Sequence, residues 1–439
     1  MAVDQRMLAA LGLEDVEPLF ADIPEELRID GLSLDVGSSE MEVVRSVTET
    51  LQKNTTCADM PSFLGCGCYR HFVPAAVRSI IMRSEFVTSY TPYQAEISQG
   101  MLQALFEYQS MISELTGMDV ANASNYDMST SLGEAALMAY RIRPGKRFLI
   151  PEAMSWERKS VLRNYTKGLG LELTEYSYDP YSGDADLSDI ATKVSAETIG
   201  IYAELPNLFG KIDAGILRLK KEHGELVLVA GVDPISLGLL TPPGDYGADI
   251  AIGEGQGLGA GMNFGGPLLG VFATKMEHVR KMPGRLIGLT RDVEGERAFC
   301  MTLQTREQHI RRAKATSNIC TNEALTALAA GVYMAIVGGQ GLKDIARANL
   351  DNCRSLRDRI EELDNFQLSF DGAHFNEFAL RCPVRPQKLN HLLLKHGIIG
   401  GVPLGEQVPR LHEHLLLATT EMHSRADHDR LLAALKEVA

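Results

Sequence analysis

The sequence predicts an α/β protein with a mostly parallel sheet, and three observations support this fold class. Between about residues 100 and 275, short apolar runs alternate with helical stretches, which is typical of strands joined by helical crossovers. The chain has 439 residues, more than one hydrophobic core usually holds. Apolar residues make up 45% and charged residues 23%, an ordinary globular composition. We therefore expect several packed parts, with helices on the faces of the sheet.

The chain divides into three predicted parts. Residues 1–60 have the spaced apolar residues of amphipathic helices and form a predicted N-terminal helical extension. Residues 61–320 form a large α/β domain, and residues 321–439 form a small C-terminal α+β domain. The strands of the large domain are predicted at 148–150, 172–178, 198–205, 226–232 and 249–253.

The small C-terminal domain is predicted to begin with two helices. Thr321 and Asn322 are expected to cap the first helix, which ends near Gly338, and the second helix starts at about residue 342. Two strands and a third helix follow, at 375–382, 414–422 and 387–396.

Charge and composition exclude several function classes. The net charge of −14 repels phosphate backbones and anionic lipids, so we expect no nucleic acid and no membrane partner. No run of about 18 apolar residues occurs, and the N-terminus has acidic residues where a signal peptide has basic ones, which predicts a cytoplasmic protein. The seven cysteines lack the paired spacing of zinc sites, which indicates reduced thiols and no metal. Cys66 and Cys68 are either unligated thiols or part of a redox site or a lid.

Polar residues follow the predicted strands where an open α/β sheet binds ligands. Asp233 comes directly after a buried strand, and its carboxylate suits pairing with the protonated ring nitrogen of pyridoxal phosphate. With Pro234 it is equally typical of a turn. The hydroxyl groups of Ser129, Thr130 and Ser131 precede Glu134 at a predicted helix start, where they either cap the helix or bind a phosphate.

Along the chain, a predicted strand is followed by the acidic residue Asp233, then by a second predicted strand and by the turn in the glycine-rich segment 249–267. This order is that of pyridoxal-phosphate transferases of the aspartate-aminotransferase type, in which the final turn carries the lysine that bonds the cofactor. Gln256 and Gly257 stand at this turn. The nearest downstream lysine, Lys275, follows another strand-like run. We therefore expect this chain to lack a covalent anchor for the cofactor.

Three long segments, 89–124, 247–275 and 282–321, resemble the P-protein family of the glycine cleavage system, glycine dehydrogenase (decarboxylating). The resemblance extends over essentially the whole chain. In that family, fused single-chain forms consist of two similar halves, and only the later half carries the cofactor lysine. The present chain resembles the earlier half, which as a separate polypeptide is subunit 1, the alpha chain. By this resemblance, Gly257 replaces the Schiff-base lysine.

The resemblance implies that this chain is active only as a heteromer. Its partner is the lysine-bearing subunit 2, the beta chain, which binds pyridoxal phosphate covalently. Together the subunits decarboxylate glycine and transfer the aminomethyl group to the lipoyl arm of H-protein. Two alternatives stay open: a non-catalytic scaffold that stabilises the partner and recruits H-protein, or a self-sufficient pyridoxal-phosphate enzyme that uses Lys275 or another lysine.

One candidate set consists of Tyr90, Thr91, Tyr93 and Gln94. Phenol and amide groups orient a carboxylate and border a ring without adding charge. We expect this set to project across the subunit interface into the partner's active site. The alternative is an interface turn anchored by Pro92.

The second candidate set is a basic stretch with Arg306, His309, Arg311 and Arg312. It is predicted to form an active-site rim or to contact a partner such as H-protein. The alternative is a solvated helix face or loop.

Overall fold

The computed structural model describes residues 5–29, 31–319 and 322–437. The chain divides into two compact units, one up to residue 56 and one from residue 57. The first unit contains helices α1 (Gln5–Leu11) and α2 (Glu40–Leu51), with short 3₁₀ turns between them. Ser39 and Glu42 form a capping box at the start of α2. The division of the second unit into a large and a small domain stays a prediction.

A seven-stranded sheet forms the centre of the second unit. Its strands are β1 (Val120–Ala121), β2 (Arg147–Pro151), β3 (Glu172–Tyr176), β4 (Thr198–Leu205), β5 (Val227–Val232), β6 (Ile250–Glu254) and β7 (Gly270–Thr274). Their order is β1-β7-β6-β5-β4-β2-β3. The five strands from β2 to β6 are parallel, and β7 and β1 add an antiparallel edge. The predicted strands and the mostly parallel sheet are confirmed.

Helices cover this sheet because its central strands are apolar on both faces. Every residue of β4 and β5 is buried. The helices of this part are α3 (Ala75–Ile81), α4 (Ser84–Val87), α5 (Gln99–Thr116), α6 (Met128–Ile142), α7 (Trp156–Thr166), α8 (Leu187–Lys193), α9 (Leu219–Glu222) and α10 (Gln308–Arg311). Helix α5 ends at Gly117, whose φ of 65° closes the helix in the left-handed conformation. A hairpin of β8 (Leu286–Arg291) and β9 (Arg297–Thr302) packs against α5.

The C-terminal part contains a second, antiparallel sheet. Its strands are β10 (Gln367–Leu368), β11 (Glu377–Arg381), β12 (Val402–Pro403) and β13 (His414–Ala418), and its helices are α11 (Ala324–Glu361), α12 (Pro386–Lys395) and α13 (Arg425–Lys436). The strand order is β10-β11-β13-β12. These elements match the predicted strands and third helix of this region.

Helix α11 joins the two helices predicted on either side of Gly338, which is non-helical (φ 60°, ψ 179°). The predicted cap is wrong for Asn322: the helix follows Glu323, and no side chain caps it. Thr321 and Cys320 lie outside the described residues. By length and hydropathy α11 could cross a membrane, but this is weak evidence because half of its most apolar window is buried in the protein, as in a core helix.

Candidate functional site

A small cavity lies at the carboxyl edge of the large sheet, where β4, β5 and β6 end side by side. We call it the edge cavity; its volume is about 50 Å³. Its lining includes Asp233, which follows β5, and Gln256 and Gly257, which follow β6. Parallel strands bring these residues together because their carboxyl ends meet at one edge. The sequence therefore located this site correctly in the fold.

The edge cavity is strongly acidic. Among the described residues that line it, Asp233, Glu204, Glu254 and Glu377 carry carboxyl groups, and Arg158 carries a guanidinium. Arg158 forms a salt bridge with Glu204, in which Nη1 of the arginine lies 2.9 Å from Oε2 of the glutamate. The remaining three carboxyl groups have no arginine of their own in this lining.

Asp233 makes two local contacts. The amide of Asn376 donates to Oδ2 at 3.0 Å, and the backbone N–H of Ile235 donates to Oδ1 at 2.9 Å. Burial raises the pKa of Asp233, and the nearby His71 opposes this rise. The turn interpretation of Asp233 thus has direct geometric support, and the carboxyl group faces the cavity as well.

Glu254 lies at the end of β6 and contacts the start of α6. Its carboxyl group accepts hydrogen bonds from the backbone N–H groups of Met128, Gln256 and Leu269, at 3.2, 3.1 and 2.9 Å. Burial raises the pKa of Glu254 to about 7, against the lowering effect of these three donors. These contacts of Glu254 could not be predicted from the sequence, because an acidic residue at the end of a strand is ordinary.

The hydroxyl groups at the start of α6 belong to the helix cap. The side chain of Asp127 accepts from the backbone of Thr130, whose hydroxyl accepts from the Asp127 backbone in return. Ser131 is buried and accepts from the amide of Asn125 at 3.1 Å. Glu134 accepts instead from Ser317 at 2.8 Å. Of the two interpretations, the contacts favour capping.

Gln256 and Gly257 occupy the turn after β6, where a cofactor lysine would be expected in a pyridoxal-phosphate enzyme of this fold. The Gln256 side chain accepts from the backbone of Tyr69 at 3.3 Å and donates to the carbonyl of Ala260 at 2.8 Å. A Cβ atom at residue 257 would lie 2.8 Å from the ring of His71 and 3.1 Å from Ile235. Any side chain at residue 257 therefore requires its neighbours to move.

The segment from Gly65 to Phe72 covers the cavity. The backbone N–H of Cys66 and the hydroxyl of Tyr69 both donate to Glu377, the latter at 2.8 Å. His71 contacts Glu421 at 2.9 Å. Burial raises the pKa of the Cys68 thiol to about 12, so this thiol is a poor nucleophile. Within the described residues Cys66 and Cys68 are free cysteines, which agrees with the interpretation as unligated thiols.

Lys275 lies at the opposite edge of the sheet. It follows β7, whose last residue, Thr274, pairs with Ile250 at the start of β6. Its ammonium group contacts Asp249 and the carbonyl of Gly247. Lys275 therefore cannot serve as a cofactor anchor in the edge cavity, and no lysine lines that cavity among the residues that the structure describes.

A second polar region lies on the surface. Tyr90, Thr91 and Tyr93 line an open depression of about 590 Å³, together with Arg285. Tyr90 is 74% and Tyr93 48% exposed. Gln94 is exposed as well but does not belong to the lining. The buried Pro92 anchors this segment, as its alternative interpretation requires.

Arg285 connects the two predicted residue sets. Its Nη2 donates to the Tyr93 hydroxyl at 3.0 Å, and its guanidinium carbon lies 5.3 Å from the centre of the Tyr93 ring. The ring of His309 lies 6.0 Å from that ring, edge to face. Glu307 completes the group, 3.9 Å from Arg285 and 3.6 Å from His309. We call these four residues the Tyr93 cluster. Sequence reasoning missed Arg285, although it stands within the segment MPGRLIG.

The basic stretch does not form one surface. Arg306 is buried, and its guanidinium donates to the carbonyls of Met282, Gly284 and Leu303, so it stabilises backbone and is not part of an exposed patch. Arg311 and Arg312 are exposed at the end of α10. No group of metal-binding side chains occurs in the part of the chain that the structure describes.

Comparisons with known proteins define the family. Residues 2–435 match the family model of the glycine cleavage system P-protein. The chain belongs to this family. It is 47% identical to the probable glycine dehydrogenase (decarboxylating) subunit 1 of Pyrococcus horikoshii, over 99% of this chain and 97% of that protein. The same subunit of Thermomicrobium roseum is also 47% identical, over 98% and 97%.

Solved structures agree with this assignment. A glycine decarboxylase (P-protein) of the glycine cleavage system, in inhibitor-bound form, superposes with a TM-score of 0.91 and 39% identity over 100% of both chains. A sphingosine-1-phosphate lyase of Burkholderia pseudomallei has a TM-score of 0.67 at 14% identity, over 95% of this chain and 94% of that one, which shows the fold alone. These neighbours confirm the fold of pyridoxal-phosphate-dependent enzymes with a mostly parallel central sheet.

The residues of the edge cavity do not fit pyridoxal phosphate. Residue 257 has no amine, and no side chain fits there without displacement of His71. The volume of about 50 Å³ is far below the roughly 300 Å³ of the smallest usual ligand pockets. Among the described residues that line the cavity, the one guanidinium, that of Arg158, is paired with Glu204 and is not free to bind the phosphate. The residues that line this cavity therefore offer no covalent anchor for the cofactor.

Proposed function

We propose that this chain is the non-lysine subunit of a glycine-decarboxylating P-protein. With a separate lysine-bearing subunit it decarboxylates glycine and transfers the aminomethyl group to the lipoyl arm of H-protein. The observation that carries the proposal is the edge cavity, which has the position of a cofactor site but contains neither a lysine nor room for the cofactor. A member of this family with such a cavity requires a partner for catalysis.

The cofactor belongs to the partner in this proposal. Pyridoxal phosphate, bound covalently by that subunit, would supply the electron sink for the decarboxylation. The present chain supplies binding, orientation and protection from water.

The Tyr93 cluster is our candidate for the contribution of this chain. Its depression places hydroxyl groups of Tyr93 and Thr91 beside the guanidinium of Arg285. Such groups donate hydrogen bonds to a carboxylate, and glycine has one. Arg285 holds the Tyr93 ring and hydroxyl in place, so we assign it as a positioning residue. We further expect Arg311, Arg312 and His309 to contact H-protein, and we expect the protein to be cytoplasmic.

Reconstitution tests the proposal directly. Glycine-dependent exchange of labelled bicarbonate should be absent with this chain alone and with the lysine-bearing subunit alone, each in the presence of H-protein. The mixture should be active. The absorbance band of a cofactor that is covalently bound to a lysine should appear in samples of the partner and not in samples of this chain alone.

Two results would contradict the proposal. Full activity of the partner alone would leave this chain as a scaffold that recruits H-protein. A cofactor absorbance band in this chain alone would indicate a self-sufficient enzyme.

A further inference from the structure

The start of α6 binds an anion that the chain itself provides. The first N–H groups of a helix have no partners within the helix, and the helix dipole makes this end favourable for negative charge. In this chain the Glu254 carboxyl group fills that position. It accepts from Met128 at the helix start, from Gln256 in the turn directly after β6 and from Leu269 before β7.

The position of Glu254 is informative. Open α/β sheets bind ligand phosphates at the carboxyl ends of their strands, next to helix N-termini. Glu254 is the last residue of β6 and lines the edge cavity at this place. Three backbone donors thus surround one carboxyl group: one from the start of α6, one from the turn directly after Glu254 and one from the residue before β7, an arrangement that also suits a phosphate.

We infer that the Glu254 carboxyl group is a built-in substitute for a ligand phosphate. It occupies the anion position at the start of α6 and keeps phosphate-bearing ligands out of the edge cavity. This exclusion is separate from the missing lysine at residue 257. It does not depend on what the Tyr93 cluster does.

Glu134 shows that burial alone does not produce this arrangement. Glu134 is a fully buried glutamate of α6, yet it accepts from one hydroxyl, that of Ser317 at 2.8 Å, and its Oε2 atom has no hydrogen-bond partner. Removal of Glu254 leaves three backbone donors around a space that is continuous with the edge cavity, because Glu254 lines that cavity. Removal of Glu134 leaves one rotatable hydroxyl, which is a poor anion site.

The variant Glu254→Ala tests the inference in the full-length chain. Its melting temperature should fall by roughly 3–6 °C, because buried donors lose their acceptor. Sodium formate supplies the missing group and should restore at least half of this loss in a saturable manner. Inorganic phosphate should also stabilise the variant, more than sodium chloride of equal ionic strength. The wild-type chain should respond to neither anion beyond the salt control.

Glu134→Ala is the matched control, and formate should not restore its melting temperature. Equal restoration of both variants, or no restoration of Glu254→Ala beyond sodium chloride, would overturn the inference. If Glu254→Ala does not fold, Glu254→Ser leaves a smaller space, and phosphorus NMR with inorganic phosphate then replaces the melting experiment. Line broadening with Glu254→Ser and not with the wild type supports the inference, and the reverse, or no broadening with either, overturns it.

Discussion

The edge cavity is closed and its four carboxyl groups are hydrogen-bonded within the fold, whereas the Tyr93 cluster borders an open depression, where the exposed Tyr93 lies next to the buried guanidinium of Arg285. The cavity has the position of an active site, but its polar groups are bonded to one another or to backbone. The Tyr93 cluster has an ordinary position on the surface, but its hydroxyl groups are accessible. The cavity thus has the position of a cofactor site without a lysine, and the Tyr93 cluster has exposed polar groups at a position that the fold class does not mark as a site.

The largest expected effect is on the pH dependence of the free energy of unfolding, and it arises from Glu377 in the edge cavity. Burial raises the pKa of Glu377 to about 7, against donors from Cys66 and Tyr69, while the usual value is 4.5. The folded chain thus holds a proton that the unfolded chain has released, so this group costs stability as pH rises from 4.5 to about 7. The wild type should lose up to about 3 kcal/mol over this range relative to Glu377→Gln. Urea unfolding at several pH values measures this difference.

Glu413 provides a control of opposite sign. Arg381 donates to it at 2.9 Å and lowers its pKa, so its stabilising effect is present above that pKa and is lost as pH falls. Glu413→Gln should therefore change the profile only at acidic pH. If the free energy of unfolding of Glu377→Gln changes with pH in the same way as that of the wild type, then burial does not raise the pKa of Glu377 in the folded chain.

The second effect tests how tightly the closed region is packed. Gly257→Ala should lower the free energy of unfolding by about 2 kcal/mol, because the new Cβ meets the ring of His71 at 2.8 Å. Gly100→Ala in α5 is the control; nothing lies within 4 Å of its Cβ position, and alanine favours a helix. Equal stability of Gly257→Ala and the wild type would mean that the turn has room for a side chain.

The third effect tests the open region. Tyr93→Phe should slow glycine-dependent bicarbonate exchange about tenfold, since it loses the hydroxyl that we propose as a hydrogen-bond donor to the substrate carboxylate. Arg285→Lys should have a similar effect on kcat, because lysine cannot hold the Tyr93 ring and hydroxyl together. Assembly with the partner should be unchanged in both variants.

The double variant distinguishes positioning from general damage. If Arg285 acts through Tyr93, the double variant should be no slower than either single variant. Tyr181→Phe, at an 84% exposed tyrosine outside this cluster, should keep the wild-type rate. Multiplied losses in the double variant would refute the positioning role.

The smallest effect concerns the exposed arginines. Arg311→Glu with Arg312→Glu should raise the apparent KM for H-protein about threefold to fivefold at low salt and less at high salt, as for a surface charge contact. Lys343→Glu with Arg347→Glu, on exposed positions of α11, is the matched control. The same KM shift in both double variants would indicate a general effect of net charge.

Local patterns predicted much of this molecule. Apolar runs gave β2 to β6 within a few residues, and Gly117 and Gly338 marked helix ends because glycine adopts conformations that other residues avoid. The same reasoning failed at Asn322, since a capping residue type does not ensure a capping contact. It also grouped Arg306 with the exposed arginines, because charge alone does not reveal that a guanidinium is turned inward toward backbone carbonyls.

The sequence by itself determined that residue 257 has no amine and that acidic residues follow the parallel strands. Only the tertiary structure decided what these residues contact. Glu254 meets Met128 across 126 positions of chain, and Arg285 meets Tyr93 across 192. Hydrophobic periodicity and turn preferences depend on residues a few positions apart, so they can be recognised in the sequence. Contacts between distant segments depend on how helices pack on the sheet, and no local pattern encodes them.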